Sequence, residues 1–256
     1  MRLLMTCMKC FEENGSPPDL GVAEAELWGD GLYKVTCDRG HVSVVKTQEQ
    51  HFEVLFDLGA MAFIDGYCRE AISSIAASLE RFLEYYVRVI SIEHGIATET
   101  VDLAWASISR QSERQLGAFL FTYLLQNKRP VNPWIYDSQP DLEGLSSGQT
   151  LTWSAFRNKI IHDGYIPSAQ ETLAYGDLVL RWINQLIDEL RNSCAGSMSR
   201  VLGAHLRRRN DYPTSESIAT MLIPTLINLT RAARHNGLED ALSDLEKYKR
   251  WLYHSA

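Results

Sequence analysis

Residues 157–162 read Arg-Asn-Lys-Ile-Ile-His and run directly into Asp-Gly-Tyr-Ile-Pro. Arg157 offers a planar fork of donors that fits a phosphate, and His162 is the side-chain type that both takes and gives a proton near neutral pH. Self-cleavage of an RNA phosphodiester uses these functions. Its 2′-hydroxyl must lose a proton as it attacks phosphorus, the 5′-oxygen must gain one as it leaves, and charge on the phosphoryl oxygens must be stabilised. That route requires no metal. On an unbroken helix Arg157 and His162 point about 140° apart, whereas Asn158 and His162 share a face. A bend or helix end near His162, as Gly164 and Pro167 would allow, or assembly from two copies of the chain, would let all three converge. The plainer reading is a solvent-facing arginine and a histidine set near a helix C-terminus, where the dipole favours a cation.

A second set of chemistry-bearing residues lies at the start of the chain. Cys7 and Cys10 form a Cys-x2-Cys knuckle, and Cys37 and His41 form a second, with Gly40 between them. Two such knuckles supply four ligands to one tetrahedral ion, and a closed set of four makes a structural zinc rather than a catalytic one. The segments LYKVT and HVSVVK carry the β-branched, alternating pattern of two short strands around the second knuckle. Together these features describe a zinc ribbon over residues 1–48. The alternative is a pair of buried thiols and an incidental histidine.

The elements that must position these residues are helical. From about residue 50 apolar side chains recur at three- and four-residue intervals, which predicts helices over 50–65 and 67–93, divided at Gly66 and stopped at Gly95. Leu79, Phe82, Leu83 and Tyr86 fall on one stripe of the longer helix. A short helix capped by Thr98 or Thr100 and another over 112–127 follow. The segment 128–149, rich in Pro and Gly, reads as a long loop. The motif helix then precedes a longer one, opened by Ser168 and Glu171 at capping-box spacing. Beyond Cys194, expected to be exposed, two more helices are read near 215–235 and 238–253. The expected class is mainly α, with a helical domain over 49–195 and a helical extension over 196–256 packing on it.

Composition bounds the chemistry further. The chain has 256 residues, 45% of them hydrophobic, which suffices for a sizeable core. A net charge of −7 gives no general basic surface, so a nucleic acid would have to be drawn by a local patch. Arg207, Arg208 and Arg209 are the one basic run of that kind, although such a run is usually a solvated face. Trp134 and Tyr136 in the loop could stack on exposed bases, or serve as core anchors. No long apolar run marks a membrane span or leader, and five sparse cysteines suit a reducing cytoplasm. A His-Glu-x-x-His helix, a phosphate-binding glycine loop and a Gly-x-Ser-x-Gly elbow are missing from the sequence, which argues against metallohydrolase and serine-hydrolase readings.

The string R-N-K-I-I-H followed by D-G-Y-I-P, set among long amphipathic helices over about residues 50–193, resembles the signature of the HEPN superfamily. The resemblance implies a compact helical bundle and, for many members, metal-independent endoribonuclease activity in toxin, antiphage and RNA-processing systems. It further implies a homodimer in which two motifs form one cleft. Carried over by position, Arg157 would bind and polarise the scissile phosphate, Asn158 would orient it, and His162 would act as acid or base. Expected products are 2′,3′-cyclic phosphate and 5′-hydroxyl ends. A toxin or defence role, with an antitoxin-like partner, follows by the same analogy. The alternative within this fold is a non-catalytic module that binds nucleic acid or a partner protein.

Overall fold

The computed structural model describes residues 2–5, 7–14, 21–29, 31–131, 152–207, 218–230, 235 and 237–254. Trp134, Tyr136, Arg208 and Arg209 lie outside the described residues, as does most of the 128–149 segment.

The chain is mainly helical with a small sheet formed largely from its N-terminal part. Strands β1 (Arg2–Met5), β2 (Gly21–Gly29), β3 (Leu32–Cys37) and β4 (Val42–Thr47) make an antiparallel meander, with helix α1 (Met8–Asn14) between the first two. The β3–β4 turn carries the second knuckle. The Cys37 N–H donates to the His41 carbonyl at 3.0 Å and the Gly40 N–H to the Cys37 carbonyl at 2.8 Å. Gly40 sits at φ 79°, a conformation that costs an L side chain about 1–2 kcal/mol, so the glycine lets this turn bring Cys37 and His41 together.

The helical body is α2 (His51–Ile64), α3 (Cys68–Glu93), α4 (Thr98–Ala106), α5 (Ser112–Asn127), α6 (Trp153–His162), α7 (Ala169–Arg207) and α8 (Leu238–His254). Helix α3 is its axis, packing against α2, α4, α5, α6 and α7. The stripe read from the sequence is its buried face: Leu79, Phe82, Leu83 and Tyr86 are all within 5% of full burial. Tyr86 meets Phe119 edge-on at 5.0 Å and stacks near Tyr123, which ties α3 to α5. The breaks fall at Gly66 and Gly95, and the Ser168–Glu171 capping box forms both of its bonds. The N-cap of α4 is Ala97 rather than either threonine.

The C-terminal region departs from expectation. In place of a helix over 215–235, residues Ile218–Met221 form β5, which pairs in parallel with β4. Residues 222–230 then cross α2 without regular structure. Three carboxylates at four-residue spacing hold this strap by its backbone. Glu49 accepts from the Ile223 N–H at 2.8 Å, Glu53 from Leu229 at 3.1 Å and Asp57 from Leu226 at 2.9 Å. From α7, Arg191 donates to the Asn228 and Leu229 carbonyls. A periodicity reading cannot see such a segment, because its amides are satisfied by side chains distant in sequence. Helix α7 is broken by a kink at Cys194, whose backbone leaves the helical region at φ −135° and ψ 25°, and this cysteine is buried rather than exposed. Its last turn reaches the sheet, where His205 meets the Thr47 carbonyl at 3.0 Å.

Candidate active site and metal centre

The packing of α6 decides where its motif points. Trp153, Phe156 and Ile160 form a buried stripe, and the rings of Trp153 and Phe156 contact Tyr175 of α7 at 5.8 and 6.3 Å. Burying such side chains contributes about 1.5–3 kcal/mol each. With that face fixed inward, Ser154, Arg157, Asn158 and His162 lie towards a cleft of about 150 Å³ between α6, α3 and the first turns of α5. The three motif residues therefore line one cavity, although α6 is unbroken between them.

Both ends of α6 are set locally. The Thr152 hydroxyl caps the N-terminus by accepting from the Ala155 N–H at 3.2 Å. The C-terminus stops immediately after His162, where Gly164 adopts φ 73° and the Tyr165 N–H turns back to the Lys159 carbonyl. Tyr165 packs on Phe156, and its hydroxyl donates to Glu171 at 3.0 Å. The Lys159 ammonium lies 4.1 Å from the Tyr165 ring centroid. The break after the motif is thus an anchored turn that leaves His162 exposed on the last helical residue.

Electrostatics within the cleft centre on Arg157. Its Nη1 donates to Asn158 Oδ1 at 2.9 Å, and its Nη2 pairs with the Glu80 carboxylate of α3. Both members of the ion pair are about three-quarters covered, at 21% and 26% side-chain exposure, so each keeps an edge open to the cleft. Tyr175 also lines it, its phenol pushed well above the ordinary range by burial, with Arg157 opposing and Glu80 adding to the shift. Sequence reading missed Glu80, whose partner lies 77 residues away. The available signal was a carboxylate on the Ala76–Leu79–Leu83 stripe of an otherwise apolar helix face.

The N-terminal ligands also converge. Cys7, Cys10, Cys37 and His41 place one donor atom each within 4.8 Å of one another, forming a set compatible with a zinc site. A tetrahedral zinc with sulfur at about 2.3 Å separates its ligand atoms by about 3.5–3.8 Å. Here Cys10 Sγ lies 4.0 Å from Cys37 Sγ, and His41 Nδ1 lies 3.2 and 3.9 Å from the sulfurs of Cys10 and Cys7. The donor set fits the ion. His41 presents Nδ1 to the sulfurs because its Nε2 faces Glu13 Oε1 at 3.2 Å, the carboxylate support that orients metal-binding histidines. Burial and the neighbouring Cys7 and Cys37 sulfurs push the Cys10 thiol up to about 11.

Of the basic run, only Arg207 is described; it is exposed at the end of α7. Among the described residues, no helix is long and apolar enough to cross a membrane. Comparison with family models, curated proteins and solved structures returns no match for this chain.

Proposed function

We propose that the α6 cleft is an endoribonuclease site that cleaves RNA without a catalytic metal, leaving 2′,3′-cyclic phosphate and 5′-hydroxyl ends. The observation that carries this reading is the convergence of Arg157, Asn158 and His162 on one cavity with the guanidinium held at a fixed place. In the proposed reaction a scissile phosphate sits against Arg157, whose fork compensates charge building on the phosphoryl oxygens. Asn158 holds Nη1 and so fixes the orientation of that fork. His162, exposed at the helix end, transfers a proton to or from the reacting oxygens. The resemblance of the motif and its helical setting to HEPN proteins supports the same chemistry.

The Cys7, Cys10, Cys37 and His41 set would hold one structural zinc. The ion would supply a cross-link between α1 and the β3–β4 turn and take no part in cleavage. Arg207 and its neighbours Arg208 and Arg209 are candidates for contact with the RNA backbone. A second copy of the chain is the other proposed partner, docked over the motif-bearing side. Support comes from α5, where Glu113 and Leu116 rim the cleft and the same stripe continues through Leu120 and Leu124, both exposed.

A second reading, a binding module without catalysis, is favoured by one observation: Arg157 is already neutralised by Glu80. Wild type, Arg157→Ala and His162→Ala, each confirmed folded, separate the two readings on a mixed RNA pool in excess chelator. Cleavage by wild type alone supports the nuclease; RNA retained but uncut by all three supports the module.

A further inference from the structure

The cleavage reading leaves one function unassigned. Transphosphorylation needs a base for the 2′-hydroxyl and an acid for the 5′-oxygen; one copy's motif contributes one imidazole, and the proposed second copy adds another only where its own motif enters the same cleft. We propose that Glu80 is the general base and His162 the general acid, so that one copy of the chain holds both proton-transfer groups. This inference rests on the ribonuclease reading and names the chemistry of the same cleft.

Placement is the first support. Glu80 lines the cleft together with Arg157, Asn158 and His162, and it does so from a different helix, α3, which opposes α6. Its Oε1 pairs with Arg157 Nη2. A phosphate seated against the guanidinium would lie next to this carboxylate, and the proposal sets the 2′-hydroxyl of the same nucleotide against Glu80. State is the second support. The ion pair with Arg157 needs an ionised carboxylate, and an ionised carboxylate is purely a proton acceptor. His162 at the helix end then has the complementary task. Among the described residues Glu113 is the other carboxylate on the cleft wall, but it is exposed on the opening turn of α5. Glu80, largely covered and joined to the phosphate-binding group, is the better placed of the two.

The step balances. The 2′-hydroxyl proton passes to a Glu80 oxygen as the O2′–P bond forms. The P–O5′ bond breaks as the imidazolium of His162 gives its proton to O5′. The products are a 2′,3′-cyclic phosphate and a 5′-hydroxyl, with Glu80 protonated and His162 neutral. Exchange with water restores both.

The test separates base from acid by changing the leaving group. The dinucleotide UpA needs both groups. Uridine 3′-(4-nitrophenyl phosphate) expels a stable phenolate and needs only the base. In excess chelator, Glu80→Gln and His162→Ala should each lower kcat/KM on UpA by on the order of 100-fold or more. On the activated ester His162→Ala should recover to within about tenfold of wild type, whereas Glu80→Gln should stay depressed by on the order of 100-fold. Glu80→Gln should also lose the acid limb of the pH profile, and Glu80→Asp should keep that limb at a reduced rate. Thermal melts of each variant exclude unfolding, and Glu80→Asp carries the test should Glu80→Gln fail to fold. Recovery of Glu80→Gln on the activated ester, an intact acid limb in that variant, or a larger loss in Glu113→Gln would overturn the assignment while leaving the ribonuclease standing. Wild type inactive on both substrates would overturn the ribonuclease reading itself, and the base with it.

Discussion

Replacing Glu53 with glutamine should flatten the dependence of stability on pH. Glu53 is 3% exposed, and burial, reinforced by the nearby Glu49 and Asp57 carboxylates, pushes it up to about 8 against the backbone N–H bonds that favour its charge. Its ordinary value is 4.5. Between these values the folded chain binds a proton that the unfolded chain has lost, so stability falls as pH rises through the window. One proton is worth about 1.4 kcal/mol per pH unit, or roughly 3 kcal/mol over two units. The neighbours facing the group are Glu49 and Asp57 from its own side, Tyr85 of α3, and Arg191 of α7, which clamps the same strap. Glutamine has one oxygen where Glu53 uses two, one for the Gln50 N–H and one for Leu229, so the variant should lose about 1–3 kcal/mol at every pH. The diagnostic is therefore slope and not offset. Urea unfolding at intervals from about pH 5 to 7.5 should show wild type losing about 1 kcal/mol per unit more than Glu53→Gln. Equal slopes would refute the reasoning and mean that Glu53 is already ionised under the strap.

Three further outcomes are expected. Wild type should hold one zinc per chain and protect Cys7 and Cys10 from alkylation, while Cys37→Ser should lose the ion; reactive thiols in a metal-free, fully folded chain would contradict the ribbon. Gly164→Ala should destabilise by about 1–2 kcal/mol, read by thermal unfolding, because φ 73° is strained for alanine. Lysine at both Leu120 and Leu124 should convert a dimer to a monomer by light scattering, and an unchanged mass would remove α5 from the interface.

The parts of the structure that sequence made legible are those fixed by near neighbours. The knuckle spacings, the Ser168–Glu171 box and the glycine stops each act within a few residues, so composition carries them. The motif's convergence was only conditionally legible: the twist of a helix separates Arg157 from His162, and what reunites them is the cleft wall supplied by α3 and α5. Glu80 and Glu13 act on partners far along the chain, and no local pattern marks such pairings. The strand at Ile218–Met221 was invisible for the same reason. Four residues in parallel register with β4 show no periodicity of their own, and the strap behind them is held by Glu49 and by Glu53 and Asp57 of α2.

The central claim is the chemistry of the α6 cleft, and the ends left on RNA test it most directly. With chelator in excess, wild type should cut single-stranded RNA to 2′,3′-cyclic phosphate and 5′-hydroxyl termini, and Arg157→Ala and His162→Ala should leave it intact. Termini bearing 3′-hydroxyl and 5′-phosphate, or cleavage that survives both substitutions, would contradict the account.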